Sequence, residues 1–379
     1  MRVLFVIRSL DSGGGAERQL GQLARGLAAR GHGVAIAVMY AGGALEQELE
    51  ERHGVQILRL AKASRWDMVP FARRSIRMAR AFNPDLVHGY MSGANELALF
   101  LGTALRRPTA WGIRVSDQDF GDYSRFREAV FQLGIHLARF PALIIANSSK
   151  GREFHLAKGF PADRFEVVPN GIDLARFTRN ALRGAEWRGR HDVHASAPLI
   201  VLPARLDPMK DHRTFIEAAR LTSTVRPDVR FLALGRGSEA ERAALGALVR
   251  DAGLTDRVAF QPDESRVEDL YNAADIVTLT SAFGEGFPNV LGEAMSCARM
   301  CASTDAGDAK IVIGDAGRIV PVRAPEALSQ AWLDLLTLSA ADRAELERHA
   351  RQRIEQNFGI ELLIDVTLRH FEAALARAR

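Results

Sequence analysis

Short apolar runs alternate with helix-like stretches along most of the chain, and no tight hairpin turn joins two runs. Strands connected through helices pair in parallel, because a parallel partner requires a long crossover. Helices then cover both faces of the sheet. The pattern predicts an α/β protein built from doubly wound parallel sheets. The predicted strands are Val3–Ile7, Val34–Met39, Val55–Leu60, Asp85–His88, Thr109–Ile113, Leu143–Ala146, Phe165–Val168, Leu199–Leu202, Arg230–Leu234, Val258–Phe260, Ile276–Leu279 and Arg318–Val320.

The chain is long enough for more than one domain, since it has 379 residues and domains usually have about 150. The strand pattern stops between residues 173 and 197, where Arg, His and Asp are frequent. We predict two Rossmann-like domains, over 1–175 and 198–358, with a linker over 176–197 and a cleft between the domains. The C-terminal tail, 359–379, is predicted to be helical and to pack back on the first domain.

Composition excludes several other classes. Hydrophobic residues make up 47% and charged residues 25% of the chain, which is typical of globular proteins. No apolar run approaches the roughly 18 residues that cross a bilayer. Two cysteines, Cys297 and Cys301, are too few for a disulfide framework; we interpret them as core side chains at a helix end or turn. No nucleic-acid-binding motif is present. These features predict a soluble, cytoplasmic protein.

Basic residues are concentrated in the first half. Residues 1–180 contain 25 Lys and Arg against 17 Asp and Glu, a net charge of +8, and the remainder has 25 against 29, a net charge of −4. The stretch Arg73–Arg80 is both basic and amphipathic. Either it contacts anionic lipids at the inner face of a membrane, or it is an ordinary solvated helix face.

A glycine-rich loop follows the first predicted strand. Gly13, Gly14 and Gly15 let backbone N–H groups approach a ligand closely, and the following helix favours a negative group at its N-terminus. The pattern is not G-x-G-x-x-G, and no acidic residue ends the second strand. A nicotinamide-type dinucleotide site is therefore not supported.

Two cations follow the first strand of the second domain. Arg205 and Lys210 flank a proline-containing turn, where an Arg fork and a Lys point charge can hold a diphosphate. Further on, Glu285 and Glu293 stand in an E-x7-E spacing around Pro288, which is placed to begin a helix. Phosphate oxygens suit the start of that helix, and the two carboxylates suit ribose and sugar hydroxyls. A nucleotide sugar explains this combination better than a bare nucleotide.

With the segments 147–149 and 168–173, these motifs resemble the GT-B glycosyltransferases of family 4 (group 1) over essentially the whole chain. The resemblance implies retaining transfer from a nucleotide-diphosphate sugar, most often a UDP-sugar. It places the donor in the second domain and the acceptor in the first, with no metal or other cofactor. The implied catalytic residues are Arg205, Lys210 and Glu285. The implied donor-binding residues are Gly14, Gly15, Arg205, Lys210, Glu285, Phe287, Asn289, Val290, Leu291 and Glu293. The candidates on the acceptor side are Glu17, Arg18, His88, Arg114 and Asp117.

Two features depart from the family pattern. No histidine follows the fifth strand, where Ile113 precedes Arg114. Arg114 or Asp117 substitutes for it, or the donor phosphate itself deprotonates the acceptor; His88 either reaches the cleft or belongs to the core. Asp117-Gln118-Asp119 matches a D-x-D metal motif. Because it falls in the predicted acceptor domain, we expect no metal there.

The sequence thus predicts a glycosyltransferase that acts on a glycan or lipid-linked acceptor in cell-surface polysaccharide or lipopolysaccharide synthesis. Two alternatives stay open: a sugar-nucleotide epimerase of the same architecture, and a catalytically silent nucleotide-sugar binding protein.

Overall fold

The computed structural model describes residues 1–10, 14–63, 67–116, 125–262 and 264–378. The chain divides into two compact units. Unit 1 comprises Met1–Gly171 and Ile360–Arg379, and unit 2 comprises Ile172–Gly359. Each contains one parallel sheet with helices on both faces, so the predicted fold class is confirmed. No helix among the described residues is both long and apolar enough to cross a membrane.

Unit 1 has a seven-stranded sheet in the order β3-β2-β1-β4-β5-β6-β7. Its strands are β1 (Arg2–Ile7), β2 (Gly33–Val38), β3 (Gln56–Arg59), β4 (Leu86–Tyr90), β5 (Thr109–Ile113), β6 (Leu143–Ala146) and β7 (Phe165–Val167). Its helices are α1 (Gly15–Ala29), α2 (Ala44–His53), α3 (Met68–Phe82), α4 (Ala94–Leu105), α5 (Arg125–Leu137), α6 (Ser149–Ala157) and, from the end of the chain, α15 (Ile360–Arg377).

Strand β1 shows why this sheet is covered on both faces. Phe5 and Ile7 join a core with residues of α1 and α15, whereas Leu4 and Val6 join a core with residues of α3 and α4. Because successive side chains of a strand point to opposite faces, a continuous apolar run needs a helical layer on each side.

Unit 2 has a six-stranded sheet in the order β10-β9-β8-β11-β12-β13. Its strands are β8 (Leu199–Pro203), β9 (Arg230–Leu234), β10 (Val258–Gln261), β11 (Ile276–Leu279), β12 (Met300–Thr304) and β13 (Arg318–Val320). Its helices are α7 (Ala181–Arg190), α8 (His212–Val225), α9 (Glu239–Asp251), α10 (Val267–Ala273), α11 (Asn289–Ser296), α12 (Ala309–Ile313), α13 (Pro325–Leu336) and α14 (Ala340–Asn357).

The predicted linker, 176–197, is instead part of unit 2 and contains α7. Trp187 of α7 is buried in the core of unit 2, and Arg188 donates hydrogen bonds to the Ala273 carbonyl oxygen (2.8 Å) and to Asp275 Oδ2 (2.7 Å). The polar composition of this segment does not indicate a helix. Helix α7 nevertheless packs on the rest of unit 2 through Trp187 and Arg188.

Strand β12 was absent from the sequence prediction. Apart from Met300, its residues are small or polar, yet all five are buried, and the strand lies between β11 and β13. Cys301 therefore belongs to a strand and not to a helix end or turn, whereas Cys297 caps the C-terminus of α11. Both thiols are buried as expected of core residues, and burial raises the pKa of Cys297 to about 12.

A short break separates the last two helices, since α14 ends at Asn357 and α15 begins at Ile360. Within unit 2, the Ile172 backbone N–H donates to the Phe358 carbonyl oxygen over 2.7 Å. The chain enters and leaves unit 2 at these neighbouring residues, and α15 then completes a core of unit 1.

His155 and His212 are buried histidines that make the fold sensitive to acid. His155 is enclosed by Phe154, Phe160 and Phe165, and burial lowers its pKa to about 4. Burial likewise lowers the pKa of His212, at the start of α8, to about 4. Both side chains are neutral in the folded state at pH values where the unfolded chain binds protons.

We expect the free energy of unfolding to fall as pH decreases from about 6.5 toward 4, because the unfolded chain takes up protons that the folded chain refuses. Each histidine contributes a slope of about 1.4 kcal/mol per pH unit in that window. In His155→Gln, urea titrations at several pH values should give a slope smaller by this amount. A difference from the parent chain that stays constant with pH would contradict the assignment.

Candidate functional site

The strand order of each sheet locates its ligand-binding edge. In unit 2 the order reverses between β8 and β11, so their following loops diverge at the carboxyl ends of the strands. Two hydrogen bonds join these loops: Ala282 N–H donates to the Met209 carbonyl oxygen (2.9 Å), and Thr280 Oγ1 donates to the Lys210 carbonyl oxygen (2.7 Å). Residues 204–211 and 280–288 thus form one surface.

Local turns orient Arg205 and Lys210 in the first of these loops. Arg205 is exposed, whereas Lys210 ends the 3-10 turn Pro208–Lys210. Asp207 caps that turn by accepting a hydrogen bond from Met209 N–H (2.9 Å). Asp211 then caps α8 by accepting from Thr214 N–H (3.2 Å). Two successive capping residues, Asp207 and Asp211, therefore hold the loop on which the two cations lie.

Lys210 and Glu285 meet as an ion pair, and both side chains are largely buried. Lys210 Nζ contacts Glu285 Oε1, and Ser281 Oγ donates to the same oxygen over 2.6 Å. A desolvated carboxylate requires such partners. The second oxygen, Oε2, accepts no hydrogen bond from the residues that the structure describes. Ser281 was not among the predicted site residues, although its hydroxyl group lies only four positions before Glu285 in the sequence.

Helix α11 begins beside this pair. Pro288 is its N-cap residue and offers no side-chain hydrogen bond to the first turn. An uncapped helix N-terminus suits an anion, because its N–H groups point outward. The side chains of Phe287 and Leu291 are buried in the core of unit 2, and Val290 packs against that core. Binding of a ligand through the backbone at these three positions stays a prediction.

Glu293 lies one turn further along α11 and is 6% exposed. Tyr271 of α10, itself buried, donates its hydroxyl hydrogen to Glu293 Oε2 over 2.8 Å. This contact fixes the orientation of the carboxylate. Because Tyr271 belongs to a different helix, its spacing from the E-x7-E segment does not indicate this hydrogen bond.

The second predicted site lies in unit 1, where the order reverses between β1 and β4. Gly14 is the N-cap residue of α1, with Gly15 at its first position. Glu17 and Arg18 follow in the first turn and are half-buried. Gln19 Nε2 donates to the Gly171 carbonyl oxygen (2.8 Å) and Gln19 Oε1 accepts from Gly171 N–H (3.1 Å). This clamp holds residues 170–171 against the start of α1.

Arg114 follows β5 at the same edge. Its guanidinium carbon lies 4.0 Å from the centroid of the Tyr90 ring, and Nη1 donates to Asn170 Oδ1 over 3.4 Å. Tyr90, at the end of β4, is buried. The structure therefore brings Arg114 and Asn170 together, and Asn170 is next to the residue that Gln19 clamps.

His88 lies in the core and not at the surface. It is fully buried on β4 among the rings of Phe5, Tyr90 and Phe371, whose centroids lie 5.4–5.5 Å from its own. Burial, reinforced by the charge of Arg114, lowers its pKa well below the usual value. This environment favours the structural interpretation of His88. Asp117 and the Asp117–Asp119 motif lie outside the described residues, among which no three His, Cys, Asp or Glu side chains could hold a metal ion.

Two family models match this chain, and together they account for most of it. Residues 13–176 match the model described as Glycosyltransferase Family 4, and residues 197–338 match the model described as Glycosyl transferases group 1.

Curated relatives are 28–31% identical to this chain over the aligned segments. It is 30% identical over 221 residues to a D-inositol 3-phosphate glycosyltransferase of Xylanimonas cellulosilytica, covering 55% of this chain and 52% of that protein. The corresponding protein of Pseudarthrobacter chlorophenolicus is 31% identical over 243 residues, covering 62% and 57%. The chain thus spans just over half the length of these relatives.

Solved structures show the same fold. Anabaena HepE in complex with UDP-glucose matches with a TM-score of 0.86 at 21% identity, covering 98% of this chain and 100% of that chain. WaaG, a glycosyltransferase involved in lipopolysaccharide biosynthesis, matches with a TM-score of 0.73 at 17% identity, covering 96% and 98%. At these identities the likeness establishes the GT-B architecture alone.

Gly307 supports the loop that carries Glu285. Its φ is +55°, and a Cβ there would lie 2.4 Å from the Glu285 carbonyl oxygen and 2.5 Å from that of Gly286. Gly253 has a similar φ of +67° but faces open space.

Gly307→Ala should therefore lower the free energy of unfolding by about 2–4 kcal/mol, because it adds a backbone clash to the cost of a left-handed alanine. Gly253→Ala, the matched control, should cost only about 1 kcal/mol, from the backbone conformation alone. Chemical denaturation of both variants measures the difference. Equal losses in the free energy of unfolding would show that the loop moves to relieve the clash at no energetic cost.

Proposed function

Because this chain belongs to the glycosyltransferases of family 4 and group 1, we propose that it transfers a sugar from a UDP-sugar, with retention of configuration, to a glycan or lipid-linked acceptor. The observation that carries this proposal is the Lys210–Glu285 pair beside the uncapped N-terminus of α11. A cation for a leaving group, a helix terminus for phosphates and a carboxylate for hydroxyls are the parts that a nucleotide-sugar donor requires.

Unit 2 binds the donor diphosphate in this proposal. Arg205 is exposed and able to reach it, and Lys210 lies on the loop joined to that of Glu285. The N–H groups at the start of α11 take phosphate oxygens. As the bond from the sugar C1 to the diphosphate breaks, negative charge grows on the leaving oxygen, and two preorganised cations stabilise it.

Glu285 has Lys210 as its ion-pair partner, so its charge is balanced within unit 2. When the diphosphate attracts Lys210, Glu285 Oε1 becomes available to a sugar hydroxyl while Ser281 still holds the carboxylate in place. The ion pair therefore lowers the cost of keeping two buried charges before the donor arrives.

Glu293 binds the ribose hydroxyls in this proposal. Tyr271 donates a hydrogen bond to its Oε2 atom and orients the carboxylate. A hydrogen bond to an ionised carboxylate contributes about 1.5–3 kcal/mol. Both UDP and UDP-sugars contain the ribose, so this contribution is common to the two ligands.

Unit 1 binds the acceptor in this proposal, at the edge formed by Glu17, Arg18 and Arg114. The acceptor hydroxyl oxygen forms the new bond to C1, and its proton goes to a base. A guanidinium is not that base because it stays protonated, and His88 is enclosed by rings. The departing phosphate oxygen, or Asp117, takes the proton.

Cell-surface polysaccharide or lipopolysaccharide synthesis is the proposed pathway. WaaG shares the fold and acts in lipopolysaccharide biosynthesis, whereas the curated relatives are named for D-inositol 3-phosphate. We place the protein in the cytoplasm, with peripheral contact to anionic lipids through α3. Met68 and Val69, at the start of that helix, are 59% and 60% exposed, and Arg73, Arg77 and Arg80 are exposed along it.

Arg74 differs from its three neighbours. It donates to the carbonyl oxygens of Leu60 (2.6 Å) and Ala61 (2.9 Å) and pairs with Asp67 at 3.2 Å. Phe71 and Phe82 are likewise buried in unit 1. The lipid-facing set proposed for α3 therefore excludes Arg74, which the sequence had grouped with the others.

Calorimetric titration with UDP and UDP-glucose tests the donor site. Glu293→Ala should weaken both ligands by about tenfold or more, because ribose belongs to both. Glu285→Ala should leave UDP affinity unchanged or higher, since Lys210 loses its competing partner, and should slow the sugar-dependent step. Glu239→Ala, an exposed carboxylate on α9, is the control. If Glu285→Ala weakens UDP as much as Glu293→Ala does, the division of roles is wrong.

Incubation with UDP-glucose and no acceptor separates the alternative functions. Slow release of UDP supports a transferase, formation of a sugar isomer without free UDP supports an epimerase, and binding without any conversion supports a silent binding protein.

Vesicle sedimentation tests the membrane contact. The triple variant Arg73→Gln, Arg77→Gln, Arg80→Gln should lose binding to phosphatidylglycerol vesicles by roughly a hundredfold at low salt, since each basic residue near an anionic surface contributes about 1 kcal/mol. Arg74→Gln should retain binding. Equal recovery of the parent chain with phosphatidylcholine vesicles would show that these arginines are only a solvated face.

A further inference from the structure

Arg114 is a half-buried cation without an anionic partner among the residues that the structure describes. Its one hydrogen bond to a described residue goes to the neutral side chain of Asn170 at 3.4 Å. Its Nε atom is buried and has no hydrogen-bond partner within the described part of the chain. Since a guanidinium stays protonated in proteins, this charge is present and incompletely compensated.

The surroundings of Arg114 add polar groups without satisfying it. The Tyr90 ring lies beneath the guanidinium, and its hydroxyl oxygen is buried with no hydrogen-bond partner among the described residues. Burial raises the pKa of Tyr90; the charge of Arg114 opposes this effect and the charge of Glu17 adds to it. The N-terminus of α1 lies at the same edge of the sheet, where Gly14 supplies no side-chain cap and the Glu17 carboxylate lies over Gly14.

A buried cation costs free energy unless an anion compensates it. Stacking on Tyr90 stabilises a guanidinium only in part. The described residues do not supply the rest of this compensation. The edge of the sheet where Arg114 lies is the one where ligands of doubly wound sheets bind.

We propose that Arg114 binds an oxyanion, a phosphate or carboxylate group, on the acceptor substrate. This inference rests on the proposed function and narrows it, since the acceptor is then anionic and not a neutral glycan. Arg114 positions the acceptor through a paired, planar contact and takes no proton from it. It thus does not replace the absent histidine as a base.

Thermal unfolding of the full chain, saturated with UDP to fill the diphosphate site, tests the assignment. The probes are inorganic phosphate and acetate, compared with chloride at equal ionic strength. At concentrations about ten times the dissociation constant, phosphate or acetate should raise Tm by about 3 °C over chloride. The probe that does so identifies the preferred oxyanion.

Arg114→Gln should abolish this difference and leave UDP affinity unchanged. Arg114→Lys should reduce it severalfold, because a point charge cannot form the paired contact. Arg106→Gln, which removes an exposed arginine at the end of α4, should behave as the parent chain does. If Arg114→Gln fails to fold, the Tm difference measured with Arg114→Lys tests the proposal in its place.

Equal Tm values in phosphate, acetate and chloride, or a difference that persists in the Arg114 variants, would overturn the inference and mark Arg114 as a structural partner of Tyr90. Failure of the parent chain to bind UDP is a separate result, which contradicts the proposed function and is measured first.

Discussion

Parallel pairing of every strand in both sheets is the constraint on which the rest of this structure depends. A strand buried on both faces must be followed by a helix that returns the chain to the same end of the sheet. All carboxyl ends then lie along one edge, and the loops part where the strand order reverses. The candidate residues Lys210 and Glu285 are 75 positions apart in sequence, yet they meet because β8 and β11 are neighbours.

Buried hydroxyl groups hold that edge in unit 2. Thr280 bonds the Lys210 backbone, Ser281 bonds the Glu285 carboxylate, and Thr304 Oγ1 donates to the Ser281 carbonyl oxygen over 2.7 Å. These three side chains are fully buried. Such contacts are directional, so they set the position of two charged groups more narrowly than apolar packing would. The site is therefore organised before any ligand binds.

The two units differ in how a buried cation is compensated. In unit 2, Lys210 is compensated by Glu285 within the chain. In unit 1, the described residues leave Arg114 with a neutral amide and an aromatic ring. A compensated pair is stable without ligand and can exchange partners when a diphosphate arrives. An uncompensated cation instead gains most when its ligand is itself an anion, which is the physical difference between the donor proposed for one unit and the acceptor proposed for the other.

The sequence alone determined the fold class, most strand positions and the donor-side candidates, because these depend on local apolar periodicity and on loops that follow predicted strands. Helix α7 and strand β12 were not predicted, since Trp187 supplies a single buried aromatic in a polar segment and every residue of β12 after Met300 is small or polar. Only the tertiary structure decided that Ser281 and Tyr271 orient the two glutamates, that Arg74 turns inward and that His88 belongs to an aromatic core. Those outcomes depend on side chains from different elements meeting in space, and spacing along one chain does not encode which elements become neighbours.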